Sequence, residues 1–291
     1  VKTIKKPLDR RKLLVKSATV LAASPFVGLT GCAGTDEDDT ALDDIDTGSG
    51  DENNNGDDSN TSAWLSGGTQ AMQATFPPAS DPFDSGLGNM CTLQEEFTIG
   101  PCFFDTDDTR DDISDGEPGV PMTLALKLVD ANCQPIEGAQ IEVWWCNAEG
   151  FYSADNSDAR GDVAGFRASY CSGDDPDALA SRWFRGIKNT DNIGNVYFKA
   201  CFPGWYPGRT THIHLRIVHN GQQQLITQFA FEDDLANNIY VSHPDYTGEV
   251  KDTSNTRDNI FSSDTVNQYL FEVERQSDNS MLAYKAIQIN V

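Results

Sequence analysis

Two of the four histidines lie in the run Thr211-His212-Ile213-His214-Leu215-Arg216-Ile217. On an extended strand, side chains two apart point the same way, so His212 and His214 share one face while Ile213, Leu215 and Ile217 turn to a core. Two imidazoles so close are placed to chelate one metal ion, although the spacing alone equally allows a pair of surface histidines. Immediately upstream stands Phe202-Pro203-Gly204-Trp205-Tyr206-Pro207-Gly208-Arg209. Its two Pro-Gly turns fix an aromatic hydroxyl and a guanidinium just ahead of the histidine strand.

The elements that must hold these groups are strands. From about residue 97 the apolar spacing is two: Met122, Leu124, Leu126 and Leu128 alternate, then Ile141, Val143 and Trp145 beyond an Asp130-Ala131-Asn132 turn. Val196, Phe198, Ala200 and Phe202 follow the Asp191-Asn192-Ile193-Gly194 turn, Ile213 to Ile217 make a fourth stretch, 225–231 a fifth, and Ile287, Ile289 and Val291 the last. This pattern predicts an all-β fold, a β-sandwich of mixed short strands over residues 63–291, with long loops at about 146–190 and 232–265 and no long helix.

Around the histidines the order P-G-W-Y, G-R, H-I-H, here Pro203 to Tyr206, Gly208-Arg209 and His212 to His214, resembles the intradiol ring-cleavage dioxygenases, the family of catechol and protocatechuate dioxygenases. The resemblance runs over roughly 97–262. Thr98-Ile99-Gly100-Pro101, Arg110-Asp111-Asp112-Ile113, Gly119-Val120-Pro121, Arg185-Gly186, Thr190-Asp191 and Thr227-Gln228 fall in family order, and 144–153 resembles its W-H-x-D-A-x-G-x-Y-S stretch.

The resemblance implies a non-haem Fe(III) held by Tyr152, Tyr206, His212 and His214, with Tyr206 and His212 axial and Tyr152 and His214 equatorial. Two tyrosinates are hard anionic donors that favour the ferric ion, and two neutral imidazoles complete the protein set. The implied reaction cleaves a catechol-type ring with O2 to a muconate-type diacid; Tyr206 would leave the metal and accept a substrate proton, Arg209 would stabilise charge developing on the ring, and Gln228 would assist it. Four positions depart from the family: Trp145 replaces a histidine, Asn147 an aspartate, and Cys102 and Phe103 two tyrosines.

The first 31 residues carry seven basic residues and one acid, with Arg10-Arg11 ahead of Leu13-Leu14, and 17–31 are uncharged. Fifteen residues fall short of the ~20 that span a bilayer as a helix, so 1–31 reads as a cleaved signal of twin-arginine type. Leu29-Thr30-Gly31-Cys32 resembles a lipoprotein box, which implies an exported protein anchored at the cell envelope, in the periplasm or at the cell surface, by lipid on Cys32. Residues 32–62 read as an acidic, solvated tether that takes the place of the helical dimerisation segment of catechol dioxygenases. Within it Asp51-Glu52-Asn53-Asn54-Asn55-Gly56 matches half a calcium loop, but Ser62 stands where the bidentate glutamate is needed.

With 45 acidic against 21 basic residues and a net charge of -24, nucleic acid is excluded as a partner. Six cysteines besides Cys32 (Cys91, Cys102, Cys133, Cys146, Cys171 and Cys201) predict up to three disulfides, and no C-x-x-C spacing supports zinc. Beside the dioxygenase reading stand an iron- or catecholate-binding lipoprotein without turnover and a metal-free structural sandwich.

Overall fold

The structure, a computed structural model, describes residues 63–86, 92–154, 168–261 and 263–291. The signal at 1–31, Cys32, the tether at 32–62 with its half calcium loop, and Cys91 lie outside the described residues.

The period-two runs form strands that pair into two four-stranded sheets among the described residues. The first is ordered β4(Asn195–Cys201), β1(Pro121–Val129), β8(Met281–Gln288), β7(Glu272–Arg275); the second β3(Arg185–Asn189), β2(Gln140–Trp144), β5(His212–His219), β6(Gln222–Ala230). Every pairing is antiparallel except β1 with β8. Inward-facing Met122, Leu124, Phe198 and Met281 of the first sheet and Ile141, Val143, Ile213, Leu215 and Phe229 of the second fill one core. Each contributes roughly 1.5–3 kcal/mol by leaving water, so a slip of one residue in any of these strands would exchange core for surface.

That register decides what the outer face of the second sheet presents. Trp144 lies opposite His214, and His214 opposite Gln228, so three side chains form a row across β2, β5 and β6 away from the core.

Three expectations need correction. The stretch 232–265 is not all loop: Asp233–Ser242 is an α-helix whose Ala236, Ile239 and Tyr240 are buried at i, i+3 and i+4. A short helix, α1(Ala168–Cys171), precedes it, making the longer one α2. Strands β3 and β7 escape the period-two pattern, because Arg-Gly-Ile-Lys-Asn lacks alternation and the edge strand Glu-Val-Glu-Arg is mostly polar. The closing strand begins at Met281 and ends at Gln288, leaving Val291 exposed.

The cysteines also depart from a full set of three disulfides. Cys102 bonds Cys171, and Cys133 is disulfide-bonded, but Cys146 and Cys201 are buried thiols outside any disulfide. They lie in different clusters, Cys201 in the sandwich core and Cys146 beside Trp144, Tyr152 and Tyr206, so their sulfurs do not meet.

Candidate metal centre

The four side chains expected to bind metal converge. His212 Nε2 stands 3.1 Å from His214 Nε2 and 3.4 Å from each of the Tyr152 and Tyr206 hydroxyls. All four residues are buried. β5 supplies both histidines, the turn at 203–208 supplies Tyr206, and the loop at 145–154 supplies Tyr152.

Two glycines let the tyrosine-bearing segments touch. A Cβ on Gly150, where φ is +87°, would fall 2.4 Å from Trp205 O, and one on Gly204 would fall 2.2 Å from Asn147 O. Any larger residue would drive Tyr206 away from Tyr152. A third close approach covers the imidazoles, since a Cβ on Gly100 would sit 3.2 Å from His214 Cε1.

The donor set suits a metal cation. Thr210 O lies 2.7 Å from His212 Nδ1, and a carbonyl can only accept, so Nδ1 carries the proton and Nε2 turns its lone pair towards the other three groups. Burial holds both histidines well below the ordinary range, with Arg209 adding to it at each and the His212 imidazole adding to it at His214, which keeps them neutral. Burial likewise raises both phenols, and Tyr152 is raised further by Tyr206 beside it. A bare phenolate is therefore unfavourable here, and a highly charged cation would reverse that by supplying the counter-charge. His214 Nδ1 is buried without a hydrogen-bond partner, as is Nε1 of Trp144, whose ring stacks on His214 at 4.9 Å. Among the described residues no group of three or more His, Cys, Asp and Glu is placed to hold a metal. The tyrosines therefore distinguish this site.

Arg209 stands next to the donors in a network of its own. Its Nε donates to Asp258 Oδ2 at 2.9 Å and its Nη2 to Gln228 Oε1 at 2.6 Å, while Gln228 Nε2 donates to Thr98 O at 2.9 Å. Asp258 also accepts Thr210 N–H at 2.8 Å and Ile260 N–H at 2.8 Å. Burial alone would raise the Asp258 carboxyl, but Arg209 and these donors together hold it below its ordinary range. Asp258 thus fixes the guanidinium and, through Thr210, the carbonyl that orients His212.

The sequence assigns no role to Asp258, Trp144 or Arg185. Asp258 is the acid that a buried arginine requires, and Trp144 is paired with His214 once the register is drawn; those two signals could have found them. Arg185 falls in family order; it is 2% exposed, and its donors reach Ser153 O and Cys102 O beside Tyr152.

The four departures are accommodated locally. Trp145 points into the core, stacks on Phe184 and donates Nε1–H to Cys201 O at 3.2 Å, so it does not stand among the donors. Asn147 accepts the Phe151 and Glu149 N–H groups and donates to Glu117 at 2.8 Å, closing the turn ahead of Tyr152. Cys102 is disulfide-bonded, and Phe103 packs on Trp144 beneath the Arg216 guanidinium.

Comparison with known proteins agrees with this arrangement. A family model described as dioxygenase matches residues 97–274. An intradiol ring-cleavage dioxygenase from Tetranychus urticae is 31% identical, with 69% of this chain and 95% of that one aligned at a TM-score of 0.58. Catechol 1,2-dioxygenase of Candida albicans is 31% identical over 120 residues, 35% of this chain and 33% of that protein. Hydroxyquinol 1,2-dioxygenase of Nocardioides simplex is 29% identical over 147 residues, 48% of each. The chain thus spans between a third and a half of the length of these curated relatives. A match over more than half of the chain, on a β-sandwich that carries the converging tyrosines and histidines, makes the protein a member of the intradiol ring-cleavage dioxygenase family.

Proposed function

We propose that the protein is a non-haem Fe(III) dioxygenase that opens a catechol-type ring between its two hydroxyl-bearing carbons with O2, giving a muconate-type diacid. The observation that carries this reading is the meeting of two neutral imidazoles and two phenol oxygens around His212 Nε2, at 3.1 Å for His214 Nε2 and 3.4 Å for each hydroxyl. When bound, a ferric ion supplies a Lewis-acidic, redox-capable centre for the diol and dioxygen.

The chain's own residues supply the rest. Tyr206 sits in a turn rather than a strand, so its phenolate oxygen can withdraw and take a proton from the incoming diol. Tyr152, His212 and His214 stay fixed. Arg209, oriented by Asp258 and Gln228, presents a guanidinium whose direction is set before substrate arrives, which suits charge that develops on the ring. The same side chains exclude bulk water, since every donor is buried.

The test is a visible spectrum of the purified protein, before and after a catechol is added under nitrogen, and again after air is admitted. A tyrosinate charge-transfer band that shifts with catechol and then decays with O2 uptake is expected. A band that shifts and persists in air would mean catecholate binding without turnover. Colourless protein that takes up no iron would overturn the donor assignment.

We infer further that the protein is exported and lipid-anchored through Cys32 at the cell envelope. The basic, apolar and Cys-box order of the first 32 residues supports it. Loss of membrane association in Cys32→Ala, with the wild-type protein fractionating with membranes, is the expected result; wild-type protein in the soluble fraction would refute it.

A further inference from the structure

Tyr152 is enclosed by a closed ring of bonds. Its N–H donates to Cys171 O at 2.7 Å. Cys171 is joined by the disulfide to Cys102. Cys102 O accepts Nη2 of Arg185 at 2.7 Å, and the same guanidinium donates to Ser153 O, from Nη2 at 2.8 Å and from Nε at 3.1 Å. Ser153 is the next residue to Tyr152, which completes the circuit.

The ring acts on a donor that no strand holds. His212 and His214 are held in a paired strand, whereas Tyr152 lies in a loop. Arg185 is buried, its guanidinium 4.0 Å from the Phe104 ring, so its charge is satisfied by those carbonyls and the ring face rather than by water. The disulfide sulfurs pack in the same apolar cluster as Tyr152, Tyr206 and Trp144. Breaking the S–S bond would open the ring at its covalent link and let α1, which carries the acceptor for Tyr152 N–H, separate from the 101–104 segment.

We propose that the Cys102–Cys171 disulfide and Arg185 together form a positioning clamp for Tyr152, so that the metal centre is complete only while that disulfide is oxidised. The inference rests on the iron-site reading above. A dithiol is the class of reductant that would undo it. Its two thiols pass two electrons and two protons to the S–S bond, leaving two protein thiols, and the dithiol closes to a cyclic disulfide. Such a site is suited to an oxidising compartment.

The experiment compares wild type with Cys102→Ala/Cys171→Ala, measuring iron per chain, iron affinity by chelator competition, the charge-transfer band and far-UV circular dichroism. Removal of the clamp is expected to weaken iron binding by about 10- to 100-fold, the range typical for groups that orient metal ligands. The band should also shift or lose intensity while the fold persists. Arg185→Lys, which leaves the disulfide intact but cannot fork between two carbonyls, should shift the band in the same direction, and this variant decides the matter if the double variant does not fold. Cys133→Ala, which removes a disulfide outside the ring, should lower stability without moving the band. A folded double variant or Arg185→Lys with wild-type affinity and band overturns the clamp alone. Wild-type protein without an iron band overturns the metal reading itself, whatever the variants do.

Discussion

Replacing Asp258 with asparagine removes one negative charge and leaves the shape. The carboxylate has no exposed side-chain surface, and the Arg209 guanidinium it faces at 2.9 Å is 12% exposed, so neither group exchanges its partner for bulk water. Removing one member of a buried pair costs about 3–5 kcal/mol, because the other charge is left uncompensated. Asparagine retains a carbonyl for Thr210 N–H, and Arg209 keeps Gln228 Oε1, so the lower end applies. We expect about 3 kcal/mol, a shift of roughly a hundredfold in the folding equilibrium. The assay is urea unfolding of metal-free protein at pH 7, followed by tryptophan fluorescence, with Arg209→Met and the double variant completing a cycle. The coupling should be about 1.5 kcal/mol or more, since the double variant buries no lone charge. The folded carboxyl lies below its unfolded value of 3.8, so its contribution is present above that pH and lost as pH falls through the folded value. The gap between wild type and Asp258→Asn should therefore close in acid. A single-variant cost under about 1 kcal/mol, or additivity within about 0.5 kcal/mol, would refute the reasoning.

Further outcomes follow from other contacts. Gly150→Ala should destabilise the protein by more than the ~1 kcal/mol of an unfavourable φ, because the new methyl meets Trp205 O at 2.4 Å, and should weaken iron binding too; wild-type affinity would show that the two tyrosine segments are not wedged together. Lys285 sits among core side chains with its ammonium on Leu270 O, and burial lowers it from 10.5 to about 8. Because the unfolded chain binds more protons between those values, stability should rise with pH from about 8 to 10.5. Lys285→Met should stabilise the protein at pH 7 by about 1–2 kcal/mol, less near pH 10, after allowance for the orphaned carbonyl; a pH-independent difference would contradict this. His214→Ala or Tyr152→Phe should abolish iron retention, while Tyr206→Phe should keep iron and slow substrate loading; equal loss in all three would show that Tyr206 has no separate role. Arg209→Ala should lower kcat more than it raises KM, and the reverse split would make it a binding group.

Strand positions are legible wherever an apolar face repeats every second residue, as at Met122 to Leu128 and Ile213 to Ile217. The period exposes the core directly, and the same period puts His212 and His214 on one face. It is silent on β3 and β7, which are held by neighbouring strands rather than by their own composition. Helix α2 hides because only Ala236, Ile239 and Tyr240 of its residues are buried, in an otherwise largely polar stretch. The tyrosines illustrate a different limit. Tyr152 and Tyr206 are 54 positions apart, and nothing local says that they meet; family order alone brings them together. No pattern supplies the support around them. Asp258, Trp144 and Arg185 act through contacts made only once the loops have closed, and the fates of Cys146 and Cys201 depend on which cluster each sulfur joins.

The parallel pairing of β1 with β8 has a consequence for how the molecule is made. Met122 sits beside Met281, 159 residues further along, and β8 also pairs with the edge strand β7. The first sheet therefore stays open until residue 288 has left the ribosome, and its closure carries the loop entropy of a very distant contact. Until then the inner edge of β1 and one wall of the core are exposed, a window in which a chaperone or an aggregation partner competes for the same hydrogen bonds. Loss of that late strand would leave the metal-binding residues present in the chain but would part β7 from β1 and open the first sheet against which their own sheet packs.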